Sequence, residues 1–103
     1  MKNLITLSEI LGTIEDGAVE VCATAEAEFS PGAEKVTVSL DAFARRSDPM
    51  RNGSHLPEPW LPKGERVVEH LPAEEVDAFT RDVFHNWVRR VRSSVPAELK
   101  LRS

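Results

Sequence analysis

The feature that most constrains the fold is a two-residue alternation between residues 18 and 29. Six apolar side chains occupy the odd positions from 19 to 29, and Glu20, Glu26 and Glu28 stand at even positions between them. A side-chain period of two is typical of a β-strand with one apolar face and one polar face. We therefore predict a strand that covers a core with its odd-numbered residues and presents an acidic face on the other side.

A second strand is predicted at residues 36–43, after a Pro-Gly turn signal in residues 30–34. Its apolar positions match those of the first strand when Phe29 lies opposite Val36. The next pairs then follow on the same face: Ala27 with Val38, and Ala25 with Leu40. A slip of one residue would turn the apolar side chains to solvent, so the pattern itself predicts this register.

The N-terminal residues allow two interpretations. Asp16-Gly17 is a hairpin signal and predicts a strand at about residues 10–15, with Ile14 opposite Val19. A helical interpretation follows from a capping-box pattern and from apolar residues at helical spacing, namely Leu4, Leu7, Leu11 and Ile14. We predict a short helical turn first and then a strand that leads into the hairpin turn.

Residues 44–65 are predicted to form a long connection, because the four prolines in this span exclude a helix and a central strand. Long connections in compact domains are usually functional or held in place by a few side chains. The expected anchors here are Leu56, Trp60 and Leu61.

The last predicted elements are a short edge strand at residues 66–70, with Val67 directed inward, and a helix at about residues 73–94. Acidic residues lie near the start of the helix and arginines near its end, as the helix dipole favours. Apolar residues recur at helical spacing: Val76, Phe79, Val83, Trp87 and Val91.

Together these elements predict an α+β fold: a three- to four-stranded antiparallel sheet with one long C-terminal amphipathic helix packed on one face. The length of 103 residues fits a single domain over residues 1–103. Within it we expect the proline-rich connection at about 44–65 and a flexible tail at about 96–103.

The single cysteine, Cys22, rules out an internal disulfide framework and favours a reducing, cytoplasmic location. No apolar stretch has the length of a membrane span, and the N-terminal residues are too polar for a signal peptide. The sequence therefore predicts a cytoplasmic protein without a membrane segment.

No catalytic, metal-binding or nucleotide-binding motif is present. Cys22, His55, His70 and His85 lack the close spacing of zinc ligands. The neighbouring Ser54 and His55 lack the strand-turn-helix setting of a hydrolase nucleophile, and no glycine-rich phosphate loop is found. We predict neither a cofactor nor a metal, and the sequence favours a non-enzymatic role.

Charge is distributed unevenly: the net charge is −4, and residues 1–44 hold two basic against eight acidic side chains. We predict that the acidic strand face binds another protein with a basic surface by electrostatic complementarity. The residues assigned to this surface are Glu20, Glu26, Glu28 and Glu34, together with Trp60 in the long connection. Nucleic-acid binding is disfavoured, because the helix dipole already explains the C-terminal arginines and no aromatic residues lie among them.

The main hypothesis is a non-enzymatic protein–protein interaction or regulatory domain, such as an inhibitor, an adaptor or an accessory subunit. The alternative is a small anionic-ligand-binding protein or minor enzyme, with a site between residues 44–65 and the sheet. Arg45, Arg46 and His55 would bind the anion there. Self-association into a homo-oligomer, through opposed charges or edge strands, is a third hypothesis.

Overall fold

The computed structural model describes residues 2–32, 35–47 and 55–102. Within these residues the chain forms five strands and one α-helix: β1 (Asn3–Ile14), β2 (Val19–Phe29), β3 (Val36–Arg46), β4 (His55–Leu56), β5 (Glu65–Glu69) and α1 (Val76–Ser94). Short 3-10 helices lie at Glu15–Gly17, Ala73–Glu75 and Ala97–Leu99. The architecture is the predicted α+β fold, an antiparallel sheet with the C-terminal helix packed on one face.

The sheet is built from successive antiparallel neighbours, in the order β1, β2, β3. The far side of β3 is covered by two short strands, because β5 pairs with residues 36–40 and β4 with residues 44–45. β1 therefore forms one edge of the sheet, and β4 and β5 share the other. Val67 is the least exposed residue of β5, as predicted for its inward position.

The register predicted for the central hairpin is confirmed. Phe29 lies opposite Val36, and the pairs Ala27–Val38 and Ala25–Leu40 follow. β3 continues to Arg46 rather than ending at residue 43, because its inward alternation extends to Ala44, which is fully buried opposite Val21. The connection predicted to begin at residue 44 is shorter than expected for this reason.

The predicted N-terminal helical turn is wrong, because residues 3–14 form one continuous strand paired with β2. A bulge inserts Leu11 between the pairs Ile10–Cys22 and Gly12–Val21. The extra residue changes which alternate positions face the core, so the inward residues Leu7, Leu11 and Ile14 are spaced by four and three, as in a helix. Leu4, which extends this spacing in the sequence, lies on the outer face and is exposed. The predicted pairing of Ile14 with Val19 is confirmed.

α1 confirms the predicted amphipathic helix, and the predicted first turn at residues 73–75 is a 3-10 helix that leads into it. Its apolar stripe packs on the sheet through Val76, Trp87 and Val91, all buried. Trp87 is 1% exposed, and its indole Nε1 donates a hydrogen bond to the carbonyl oxygen of Asp41 at 2.9 Å. This bond ties the middle of the helix to β3, so the largest buried side chain also satisfies its polar atom.

The connection and the tail both add to the core. Leu56, Trp60 and Leu61 pack against it as predicted, while residues 48–54 lie outside the described part of the chain. The tail predicted to be flexible instead forms the 3-10 helix Ala97–Leu99. It then exchanges two backbone hydrogen bonds between Arg102 and Thr13, at 2.8 and 2.9 Å. Two apolar side chains in the tail, Leu99 and Leu101, explain this order because they pack against the core.

Candidate functional site

The outer edge of β1 is open over most of its length. No described strand pairs with residues 3–10 on this side, whereas Thr13 is closed off by Arg102. In an antiparallel strand every second residue directs its N–H and C=O groups away from its one neighbour. An eight-residue segment of β1 therefore presents backbone donors and acceptors that another strand would satisfy.

On the outer face of the sheet, away from α1, this edge carries exposed apolar side chains. Leu4 is 59% exposed and Ile10 is 53% exposed, and both lie on the same side of β1 as Thr6 and Ser8. A strand added beside β1 would place its own side chains within reach of Leu4 and Ile10 on this face. The exposed apolar surface thus lies where a neighbouring strand would cover it.

On the inner face, a groove of about 490 Å³ runs between β1 and α1. Its apolar floor is formed by Leu7, Phe84 and Val88, of which Val88 is buried and the other two are half-buried. Ser8 also lines the groove although its side chain belongs to the outer face, so the groove opens at the backbone of the edge itself. The remaining lining residues are Glu9, Arg81, His85, Arg89 and Arg92.

The rim of the groove is positively charged, since three arginines and one glutamate line it. Arg92 lies 3.5 Å from the carboxylate of Glu9 and donates a hydrogen bond to the carbonyl oxygen of Leu11 at 3.2 Å. Arg81 pairs with Asp77 at 2.9 Å. Arg89 is exposed and forms no ion pair with any described residue. The groove therefore combines an apolar floor with a cationic rim beside a strand edge that pairs with no described strand over residues 3–10.

The predicted acidic surface is present only in part. Glu20, Glu26 and Glu28 share the outer face of β2, but Glu20 lies 3.6 Å from Arg45, and Glu28 lies 3.1 Å from Lys2. Glu26 is exposed and has no ion-pair partner among the described residues, and Glu34 lies outside them. Trp60 is half-buried against the core, on the other side of the sheet from these carboxylates. Partner binding by this surface stays a prediction.

The predicted anion site is brought together incompletely. Arg45 and His55 are cross-strand partners in β3 and β4, and the adjacent Arg46 alternates to the opposite face of the strand. The ring of His55 stacks on Phe43 with 4.1 Å between centroids, and the guanidinium of Arg45 lies 5.8 Å from the same ring. Arg45 is thus engaged by Glu20 and Phe43, and anion binding here stays a prediction.

Cys22 is 3% exposed on the outer face, between Ile10 on β1 and Phe43 on β3. Burial raises the pKa of its thiol, the nearby Arg45 guanidinium partly offsets this, and Glu20 adds to it. A raised pKa keeps the sulfur protonated at neutral pH and makes it a poor nucleophile.

Among the residues that the structure describes, no group of three His, Cys, Asp or Glu side chains lies close enough to hold a metal ion.

The groove was not among the sites predicted from the sequence. Arg89 and Arg92 were explained by the helix dipole alone, and the helical interpretation of the N-terminus concealed the strand that forms the other wall. A weak signal was present in Ile5 and Thr6, which are residue types that favour strands, and in the absence of proline from residues 3–7. The pairing of this segment with the basic helix is a long-range feature that no local pattern records.

No protein family, no curated protein and no solved structure matches this chain. Over the part of the chain that is described, no helix is both long enough and apolar enough to span a membrane. Function must therefore be inferred from the geometry and chemistry of the chain's own residues.

Proposed function

We propose that this protein is a non-enzymatic interaction or regulatory domain that binds a partner protein by strand addition at the open edge of β1. The observation that carries the proposal is the outer side of residues 3–10, which pairs with no described strand and lies beside the groove between β1 and α1. In strand addition, main-chain hydrogen bonds supply affinity, and pockets for alternate side chains supply specificity. The open edge of β1 supplies the main-chain groups, and the groove beside it supplies a pocket for a side chain.

The composition of the edge supports the proposal. Natural edge strands are usually protected by charged residues, prolines, bulges or a covering element. Residues 3–10 contain one charged residue, Glu9, and no proline, and the bulge at Leu11 lies beyond them. Among the described residues, the tail lies against Gly12 and Thr13, which are beyond this segment. The unprotected length therefore has the features of a binding edge.

An inhibitor, an adaptor or an accessory subunit would all use such an edge, and we propose a role of this kind in the cytoplasm. The cytoplasmic assignment is supported by Cys22, a buried free thiol in a chain without a disulfide framework. The proposed partner is a protein, and neither nucleic acid nor a lipid surface is needed to satisfy the edge.

The proposal is tested by selecting binders from a displayed library of random extended peptides and mapping them on the isotope-labelled protein by NMR. We expect the backbone amides of residues 3–10 to shift and to exchange more slowly with solvent when a selected peptide binds. Binders that leave these amides unchanged and instead perturb the amides of β5 would contradict strand addition at β1.

A matched pair of charge substitutions makes this test specific. Ile10→Lys places a charge on the open edge, where a lysine opposes the addition of a strand. Val68→Lys makes the same change on the opposite edge, at a residue that is 48% exposed on the same face of the sheet. Binding should fall in the first variant and persist in the second, and equal losses in both would point to a general effect of charge.

The acidic outer face is a second proposal, supported by the three glutamates of β2 that share it. It would bind a basic protein surface, with Glu26 as its exposed carboxylate. Because this face lies on the opposite side of the sheet from the groove, the two surfaces are separable by mutation.

A further inference from the structure

We infer that the strand added to β1 is an acidic segment of a partner protein, with one apolar side chain in the groove and carboxylates at its arginine rim. This inference rests on the proposed function and names its partner class. It is carried by two independent observations: the position of the groove on the inner side of the open edge, and the excess of arginine around it.

The position of the groove on the inner side of the sheet determines which side chains of the added strand can enter it. A strand beside β1 would lie about 4.8 Å away, and its alternate side chains would point to the inner face, where α1 packs. The inward side chain that is closest to Leu7 would enter the floor formed by Leu7, Phe84 and Val88. Burial of an aliphatic side chain in this place excludes water from the apolar floor, so we expect a leucine or a similar residue there.

The arginines then select the inward side chains on either side of that apolar residue. Along α1, the span from Arg81 to Arg92 corresponds to about 16 Å at a rise of about 1.5 Å per residue. This is about the length of five residues of extended chain. Two carboxylates, each two positions from the apolar residue, would therefore lie within the length of the rim and would accept charge-assisted hydrogen bonds from it.

The charge around the groove argues against a second copy of this chain as the occupant. An antiparallel pairing of β1 with its own copy would bring two such rims together. The arginines would then outnumber the carboxylates, which are the two Glu9 side chains and the two Asp77 side chains that pair with Arg81. Like charges at an interface cost free energy and suppress that pairing. An acidic segment from another protein supplies the opposite charge and satisfies the same edge.

The experiment uses the full-length labelled protein and two seven-residue peptides with blocked ends. The first has the sequence Thr-Glu-Val-Leu-Val-Glu-Thr, which places Glu, Leu and Glu on the inner face and Val and Thr on the outer face. The second replaces both glutamates with lysine. We expect the acidic peptide to shift the amides of residues 3–10 and to bind about tenfold or more tightly than the basic one.

Charge substitutions in the protein complete the test. Arg89→Glu should weaken the acidic peptide about tenfold and should strengthen the basic peptide, whereas Arg89→Lys should retain most of the binding. Arg66→Glu is the matched control, because Arg66 is also exposed but lies in β5 at the opposite edge. Affinity for the acidic peptide should also fall as salt is added. Thermal melts of each variant establish that the fold is retained.

The outcomes separate the inference from the proposal on which it rests. Equal binding of both peptides at residues 3–10 would overturn the acidic partner and leave strand addition standing. Peptides that bind without perturbing these amides, or that do not bind, would overturn both. Two further results would overturn the inference that the partner segment is acidic. One is a dimer of the free protein that the Ile10→Lys substitution dissociates. The other is a single-stranded oligonucleotide that binds through Arg89 more tightly than the acidic peptide does.

Discussion

Gly12 lies where β1 bulges and the C-terminal tail crosses it. Its φ is +156°, and a Cβ atom at this position would overlap the carbonyl oxygen of Arg102. A side chain here would strain the backbone and also displace the tail from Thr13. The residue is therefore a glycine for a reason of space as well as of conformation.

We predict that Gly12→Ala lowers the free energy of unfolding by about 1–3 kcal/mol, the usual cost of a residue held in a sparsely populated conformation. Urea denaturation measures the change. Gly17→Ala is the matched control, because Gly17 also has a positive φ, of +89°, but a Cβ atom added to it would have no neighbour within 4 Å. Equal losses of unfolding free energy in the two variants would mean that the close contact between Gly12 and the tail contributes nothing to the effect of the Gly12→Ala substitution.

Trp87 combines the largest buried side chain with a hydrogen bond to β3. We predict that Trp87→Phe destabilises the fold by about 1–3 kcal/mol, because the carbonyl of Asp41 loses its donor and the smaller ring leaves a void. Thermal or urea unfolding followed by circular dichroism measures this. Trp60→Phe should lower the stability by a smaller amount, because Trp60 is only half-buried. A larger loss of stability for Trp60→Phe than for Trp87→Phe would contradict the central role of Trp87 in the core.

Between elements, Glu65 and Arg90 connect β5 to α1 through a bidentate ion pair, and Arg90 also lies 5.2 Å from the ring centre of Trp87. The hydrogen bond from Arg90 lowers the pKa of the Glu65 carboxyl below its ordinary value. A carboxyl group whose pKa is lower in the folded state than in the unfolded state stabilises the folded state at pH values above the unfolded pKa. The contribution is lost as the pH falls through the folded pKa.

Glu65→Gln should therefore be slightly less stable than the wild type at neutral pH, and this difference should disappear on acidification. The effect is small because both side chains are exposed to solvent. Urea midpoints at neutral and acidic pH measure it, with Glu69→Gln in the same strand as the control. A difference that grows as the pH falls would have the wrong sign for this ion pair.

The elements that could be predicted from the sequence are those in which the buried apolar residues recur with one uninterrupted spacing along the whole element. The alternation of β2 and β3 specified their register down to the pair Phe29–Val36, and the stripe of α1 specified its length. β1 was misread because Leu11 breaks its period, so that neither a strand nor a helix template fits all of residues 3–14.

The candidate site was harder to predict than the fold. Its floor joins Leu7 of β1 to Phe84 and Val88 of α1, and its rim joins arginines that are separated along the helix. The acidic stripe was visible in the sequence, but the cations that pair with Glu20 and Glu28 come from β3 and from the chain before β1. Such juxtapositions depend on packing between elements, which local patterns do not contain.

For the whole molecule, the glutamates of β2 lie on the outer face of the sheet, where Arg45 and Lys2 pair with two of them, and the arginines of the groove lie on the inner side. The layers of a packed domain are about 10 Å apart, similar to the Debye length of about 10 Å at moderate salt. The field of one surface is therefore weakened at the other.

This separation leads to a prediction for the double variant Glu26→Lys and Glu28→Lys. Its affinity for the acidic peptide should change by less than about threefold at physiological salt, because the charges lie across the sheet from the groove. A basic partner of the outer face would lose affinity in the same variant. Titration calorimetry with the acidic peptide measures the first effect, and a large loss would mean that the peptide binds elsewhere.

The bulge at Leu11 has a consequence for how this chain tolerates change during evolution. It acts on the side-chain pattern as a single inserted letter acts on a reading frame, because positions on either side of it face the core with opposite parity. Loss of Leu11 alone would restore one uninterrupted period of two. The pairs Ile10–Cys22 and Gly12–Val21 would then become consecutive, so both halves of β1 would keep their present faces at the cost of one buried side chain. We therefore expect natural variation to tolerate loss of the bulge residue, whereas deletion of one residue between positions 4 and 9 would turn over the residues that precede it and should be eliminated.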